Sequence, residues 1–385
     1  MSTDIIMIFG LSSSAGVFYI NLELLKRIKV SHITLIITLP VKWDSYTSSL
    51  ISKEFKSLME ISEKSNIDLI IVGPGVSRFP PIFSRTFRKI SLFYDLLKQV
   101  KSCGDIIHFT WPWKNYSLKI LKFLEKKVVS NCYDIIPLKL PELYPWPEFK
   151  KHIYFWKKSD AVPVLSLNTK KDLVSLGVDD EKIFITYPGV DTQLFHPIPK
   201  DSAKRELGLP TDKRILLYVG SLEPKRAIPM KAFLQAYKSL TEKYKDLILI
   251  LAGPFKYLSM EMTDSIIVLR NVPRRKLPFL YASADTFIFP TLYEGFGIPP
   301  LESMACGTPV IVPQNSSLPE VVGDAGIYVE NPLDPREWYE KVEIMFKDES
   351  LRDYLSRKGI TRAQVFSWDK SAEILREVYE TLSRR

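Results

Sequence analysis

The sequence predicts an α/β protein with two parallel sheets, and three observations carry that expectation. Short apolar runs alternate with longer amphipathic stretches, the pattern of buried parallel strands covered by helices on both faces. The alternation restarts after a Pro- and Gly-rich stretch, Tyr187–Asp212. The length of 385 residues exceeds one ordinary core and suits two α/β domains.

In the first half, Ile5–Phe9, Ile33–Thr38, Leu69–Val72, Ile106–Phe109 and Val128–Asn131 read as strands. Between them Phe18–Ile28, Thr47–Ser65, Ser84–Lys101 and Lys114–Glu125 read as helices. In the second half, Arg214–Val219 is a strand ending at Gly220, followed by a helix over Pro229–Lys243 and a strand over Leu247–Ala252. Ile266–Leu269, Thr286–Phe289 and Pro309–Val312 follow as strands, with helices between them and after. Ligands of such sheets bind at the carboxyl ends of the strands. Two facing sheets create a cleft that suits a ligand.

Hydrophobic residues make up 46% and charged residues 25% of the chain, which excludes disordered and collagen-like classes. Cys103, Cys132 and Cys306 are widely spaced, with no Cys-x-x-Cys pair, against a structural zinc site or a disulfide framework. A reducing cytoplasm fits that usage. The N-terminus lacks the positive charge of a secretory signal, and no run approaches the roughly 20 apolar residues of a membrane span.

The stretch Phe289–Pro313, FPTLYEGFGIPPLESMACGTPVIVP, is the most informative. A strand ends at Phe289 and a loop carries Glu294, Gly295 and Gly297. A helix then starts with Pro299 or Pro300 at its first position, where a missing N–H costs nothing. Gly307 marks its end. A helix N-terminus suits a diphosphate. Glu294 and Glu302, as ionised carboxylates, accept hydrogen bonds from sugar and ribose hydroxyls.

Two glutamates seven residues apart within EGFGIPPLESMACGTPVI, preceded by SADTFIFPTLYEGFG and followed by LPEVVGDAGIYVEN, resemble the signature of glycosyltransferase family 4. The resemblance implies a GT-B fold, two Rossmann-like domains facing across a cleft. It places an acceptor-side domain at 1–186, a nucleotide-sugar domain at 187–366, and at 367–385 a helix crossing back to the first. Glu294 would lie near the donor sugar's hydroxyls and Glu302 would hold the ribose. The amides of Phe296, Gly297 and Ile298 would face the phosphates, with Gly295 and Leu301 completing that stretch.

LLYVGSLEPKRAIP is similar to the family's phosphate loop, with Gly220 and Arg226 in matching places and Lys225 beside them. Ser221 stands where an Arg is common, and Arg226 where Lys is usual. In the first half, Phe9 to Gly16 matches the glycine-rich loop facing donor phosphate and acceptor, and His108 stands where the family often has His. Tyr133-Asp134-Ile-Ile-Pro137 resembles a His-Asp-x-x-Pro of mannosyltransferase-like members, with Tyr for His.

The implied activity is retaining transfer of a hexose from a nucleotide-diphosphate sugar to a glycan or lipid-linked acceptor, with Glu294, Arg226 and His108 as catalytic candidates. Neither a metal nor a cofactor is expected, since Lys225, Arg226 and a helix N-terminus supply the positive charge. A soluble acceptor, or a non-catalytic nucleotide-sugar-binding subunit, are the alternatives. A nicotinamide dehydrogenase is disfavoured because no Gly-x-Gly-x-x-Gly follows a strand.

The net charge of +9 is concentrated between residues 76 and 158, where sixteen Lys plus Arg face six Asp plus Glu. Aromatics interleave with Arg78, Arg85, Arg88 and Lys89, and Lys114, Lys119, Lys122, Lys126 and Lys127 follow. Two readings stand side by side: a solvated or core-packing face, and a peripheral contact with an anionic membrane on its cytoplasmic side. No nucleic-acid reader motif is present, so nucleic acid is not an expected partner.

Overall fold

The computed structural model describes residues 4–10, 15–38, 58, 60–61, 67–72, 104–110, 126–255 and 263–384. The strands β1 (Asp4–Gly10), β2 (His32–Thr38), β3 (Ile67–Val72), β4 (Ile106–Phe109) and β5 (Lys127–Ser130) form one parallel sheet in the order β3-β2-β1-β4-β5. Two three-residue strands, β6 (Val162–Val164) and β7 (Ile183–Ile185), pair with each other. Bridges Val129 to Ala161 and Cys132 to Val164 attach them to the edge of that sheet.

The second sheet is β8 (Arg214–Val219), β9 (Leu247–Ala252), β10 (Ile266–Leu269), β11 (Thr286–Ile288), β12 (Val310–Pro313) and β13 (Gly326–Val329), in the order β10-β9-β8-β11-β12-β13. Counted from each sheet's own first strand, the first runs 3-2-1-4-5 and the second 3-2-1-4-5-6, so each reverses direction beside its first strand. All six residues of β9 are buried, which is why its sequence LILILA shows no alternation.

The expected strands lie where the apolar runs predicted, with ends shifted by no more than two residues. The helix expected over Phe18–Ile28 spans Ala15–Leu25, so Gly16 is helical rather than in the preceding loop. The helix expected from Pro229 begins at Pro224 and runs to Lys243. Pro229 is interior, and the amide it lacks would have bonded the carbonyl of Lys225. That carbonyl instead accepts from the N–H of Leu292 at 2.9 Å. The proline thus frees an acceptor for the loop of Glu294. Lys200–Glu206 forms a short helix inside the stretch read as a hinge. The helices expected over 84–101 and 114–125, and the basic aromatic stretch at 76–97, lie outside the described residues, as does most of 47–65.

The last helix, Trp368–Arg384, turns its buried face (Trp368, Ala372, Leu375, Tyr379, Leu382) toward the first sheet. Tyr19 meets Trp368 edge-on at 5.7 Å, and Tyr379 meets His108. One continuous apolar cluster runs from Ile5, Ile20 and Ile106 through Val190 and Phe195 into the second sheet. Among the described residues no helix is long and apolar enough to cross a membrane.

Candidate functional site

At the direction reversal of the second sheet, β8 and β11 are neighbours, and their carboxyl ends carry the principal candidates. Beyond β8 the chain passes Gly220 and Ser221 and enters the helix at Pro224, so Lys225 and Arg226 sit in its first turn. Both are nearly enclosed, with side chains 8% and 13% exposed. Beyond β11 the chain reaches Glu294. Arg226 donates from Nε to Oε1 at 2.7 Å and from Nη2 to Oε2 at 2.8 Å. Lys225 Nζ donates to Oε2 at 3.1 Å and Thr291 Oγ1 to Oε1 at 2.8 Å.

Burial alone would push the Glu294 carboxyl up, but Arg226 and Lys225 overcome it and hold it at about 2. Arg226 and Lys225 thus put two cations on one carboxylate in a water-poor site, where electrostatic interactions are strong, with Glu223 and Asp134 also acting on the cluster. Arg226 also lies over the ring of Phe289 at 5.0 Å. Its Nη1 contacts the carbonyl and the hydroxyl of Ser221, both at 3.4 Å.

The loop of Glu294 is held from several sides. Ser316, in the left-handed region at φ 49°, accepts from the Glu294 N–H at 3.0 Å. Ser317 Oγ donates to the carbonyls of Glu294 and Phe296 at 3.0 and 2.8 Å. Gly295 passes so close to the first half that a Cβ there would lie 2.1 Å from the Tyr133 carbonyl oxygen. Only glycine fits that approach.

The following helix spans Ile298–Ala305 and starts one residue earlier than expected, because Gly297 caps it at φ 110°. Pro299 and Pro300 occupy its second and third positions and carry no N–H. The Leu301 N–H is directed at the Gly297 carbonyl at 3.4 Å, and its side chain is core. Pro299, Pro300 and Leu301 therefore give an anion no free N–H at this helix start. The Phe296, Gly297 and Ile298 amides remain, with the cations across the loop.

Glu302, in the second turn of that helix, is buried. Its Oε2 accepts from Tyr281 Oη at 2.9 Å and its Oε1 lies 3.2 Å from Arg274 Nη1. Burial raises its carboxyl above the usual range, opposed by Arg274 and Tyr281. Sequence reading missed both partners. The available signal was the basic triplet Arg274–Lys276 just beyond β10, at a strand's carboxyl end.

On the first sheet His108 lies in β4, beside β1. It is buried, with Nε2 2.8 Å from Asn131 Oδ1 and Nδ1 paired with the Tyr379 hydroxyl. Burial lowers its pKa to about 4, so the ring is neutral near pH 7. Asn131 and Asn21 both bond the Tyr133 hydroxyl, at 2.7 and 2.6 Å. His108 thus belongs to a closed polar network that joins β4, the helix at 15–25 and the last helix. Asp134 is held above its usual range by burial, opposed by Lys225.

The two halves also meet beside Glu294. Its neighbour Tyr293 pairs with Asp172 and accepts from Asn168 at 2.9 Å, while Lys139 holds Asp172 at 2.5 Å. Glu320 accepts from the N–H groups of Leu167 and Asn168 at 2.6 and 3.1 Å, capping the helix Leu167–Ser175, and from Tyr187 Oη.

The sequence pattern of the glycosyl transferases group 1 matches residues 199–362, and that of glycosyltransferase family 4 matches residues 50–194. O-antigen chain mannosyltransferase B of Escherichia coli is 34% identical over 176 residues, covering 43% of this chain and 45% of that protein. D-inositol 3-phosphate glycosyltransferase of Thermobispora bispora is 31% identical over 245 residues, covering 59% and 57%. The chain thus spans about half the length of the curated relatives it matches. Among solved structures, HepE from Anabaena in complex with UDP and glucose superposes with a TM-score of 0.75 at 16% identity over 99% of both chains. Sucrose-phosphate synthase from Thermosynechococcus elongatus does so at 0.75 and 18%, again over 99% of both. These likenesses are of fold, the GT-B arrangement of two facing Rossmann-like halves. With the two family patterns together covering residues 50–194 and 199–362, this chain belongs to the group 1 glycosyltransferases of the family 4 type.

Proposed function

We propose that the protein is a retaining glycosyltransferase that moves a hexose from a nucleotide-diphosphate sugar to a glycan or lipid-linked acceptor, without a divalent metal. The observation that carries this reading is the enclosed Arg226–Glu294–Lys225 cluster at the reversal of the second sheet, with the buried Glu302 on the helix that follows Glu294. Its two adjacent cations suit a diphosphate, and Arg can grip two phosphate oxygens at once. An arriving diphosphate competes with Glu294 for both cations, and the released carboxylate accepts from the donor sugar's hydroxyls. Glu302 takes the ribose hydroxyls.

As the glycosidic bond to the diphosphate breaks, Arg226, Lys225 and the amides of Phe296 to Ile298 stabilise the charge on the leaving group. The acceptor hydroxyl approaches on the same face and gives its proton to the departing phosphate. For His108 we propose a part through the Asn131–Tyr133–Tyr379 network, which supports the acceptor side of the cleft. The same reading divides the chain at 186/187, with 367–385 returned to the first domain. It places the protein in the cytoplasm, with the membrane face as a peripheral alternative.

Calorimetry with UDP, GDP, ADP and dTDP tests the donor assignment. Selective binding of one diphosphate, weakened by Glu302→Ala, is the expected result. Absence of binding to any of the four would overturn it.

A further inference from the structure

Arg274 stands in the short turn Arg274–Lys276 beyond β10, and three groups converge on its guanidinium. Nη1 lies 3.2 Å from Glu302 Oε1. The guanidinium carbon lies 4.0 Å from the centroid of the Tyr19 ring and 5.0 Å from that of Phe195. Nη2 donates to the Tyr19 hydroxyl. Tyr19 belongs to the helix at 15–25 of the first half, where Trp368 meets its ring edge-on. The Arg274 side chain is 39% exposed against 7% for Glu302, so the guanidinium forms the solvent-side cover of that carboxylate.

The chemistry of this arrangement is directional. A planar guanidinium stacks on an aromatic face and donates in its own plane, which an ammonium group cannot reproduce. Tyr281 and Arg274 approach different oxygens of Glu302, which fixes the carboxylate plane and leaves acceptor capacity for a vicinal diol. Burial disfavours the ionised carboxylate, and Arg274 opposes that effect.

We propose that Arg274 is a positioning residue of the donor site, holding the Glu302 carboxylate for the ribose diol and tying the helix at 15–25 to the nucleotide subsite through Tyr19. This rests on the reading that Glu302 receives the ribose.

The test compares the Kd of UDP, GDP and ADP with those of their 2′-deoxy counterparts. Wild type, Glu302→Ala, Arg274→Ala and Arg274→Lys are measured by calorimetry, with thermal melts as a check on folding. Wild type is expected to prefer the ribonucleotide. Arg274→Ala is expected to weaken ribonucleotide binding about tenfold and 2′-deoxynucleotide binding much less, the loss typical of a bond to a charged group. Arg274→Lys keeps the charge but not the planar stack, and is expected to lose the preference as well. If the arginine variants keep the preference while Glu302→Ala loses it, Arg274 has no positioning role and the ribose reading stands. If Glu302→Ala keeps the preference, the ribose reading falls and this proposal with it. Equal weakening of both nucleotide forms by Arg274→Ala also overturns the proposal.

Discussion

Arg226 holds both oxygens of the Glu294 carboxylate, with Nε 2.7 Å from Oε1 and Nη2 2.8 Å from Oε2. Removing one partner of such a buried pair strands the other charge and typically costs about 3–5 kcal/mol. Glu294→Ala is therefore expected to lose stability of that order in urea unfolding. Saturating diphosphate should restore part of the loss in the variant, because the ligand supplies the missing negative charge. Equal stabilisation of variant and wild type by the ligand would contradict this.

Pro229 suggests a test with opposite signs on two readouts. Pro229→Ala restores an N–H that competes for the Lys225 carbonyl now bonded by Leu292. Alanine in a helix interior is favoured over proline by up to about 3 kcal/mol. The variant should melt no lower than wild type, while its Kd for the preferred nucleotide diphosphate rises several-fold. Unchanged binding would mean that the Glu294 loop does not depend on this bond.

His108 predicts a slope in stability against pH. Its folded pKa of about 4 lies below its ordinary 6.5. Between those values the unfolded chain binds a proton that the native state excludes, so stability rises with pH. The contribution is complete above pH 6.5 and is lost as pH falls through 4. It amounts to about 3 kcal/mol for a fully buried group. Urea midpoints of His108→Gln should show a shallower loss between pH 6.5 and 4 than those of wild type.

Transfer activity, once a donor is found, should survive chelation. Rates in excess EDTA and in added magnesium are expected to agree within twofold if Lys225 and Arg226 suffice for the leaving diphosphate, by the charge argument given above. Loss in EDTA with recovery on adding metal would contradict it.

Much of the second sheet was legible because its strands are short continuous apolar runs, most of them buried on both faces. Arg214–Val219, Leu247–Ala252 and Ile266–Leu269 read as apolar runs and match residue for residue. β6 and β7 were not, since three residues give no period to detect. The start of the helix at Pro224 was hidden by Pro229, which looked like a first-turn residue and is an interior one. Glu294 and Arg226 stood out singly, but their pairing joins a loop beyond β11 to a helix beyond β8 and leaves no trace in local spacing. Arg274 gave no motif, because its meaning comes from Tyr19 and Glu302, both far away along the chain.

The packing of Trp368–Arg384 on the helix at 15–25 bears on how the protein is made. A ribosome releases residues 15–25 early and their partner helix much later. Until then the ring of Tyr19 lacks Trp368 and His108 lacks the Tyr379 hydroxyl. The nascent first half therefore leaves the tunnel with an uncovered apolar seam.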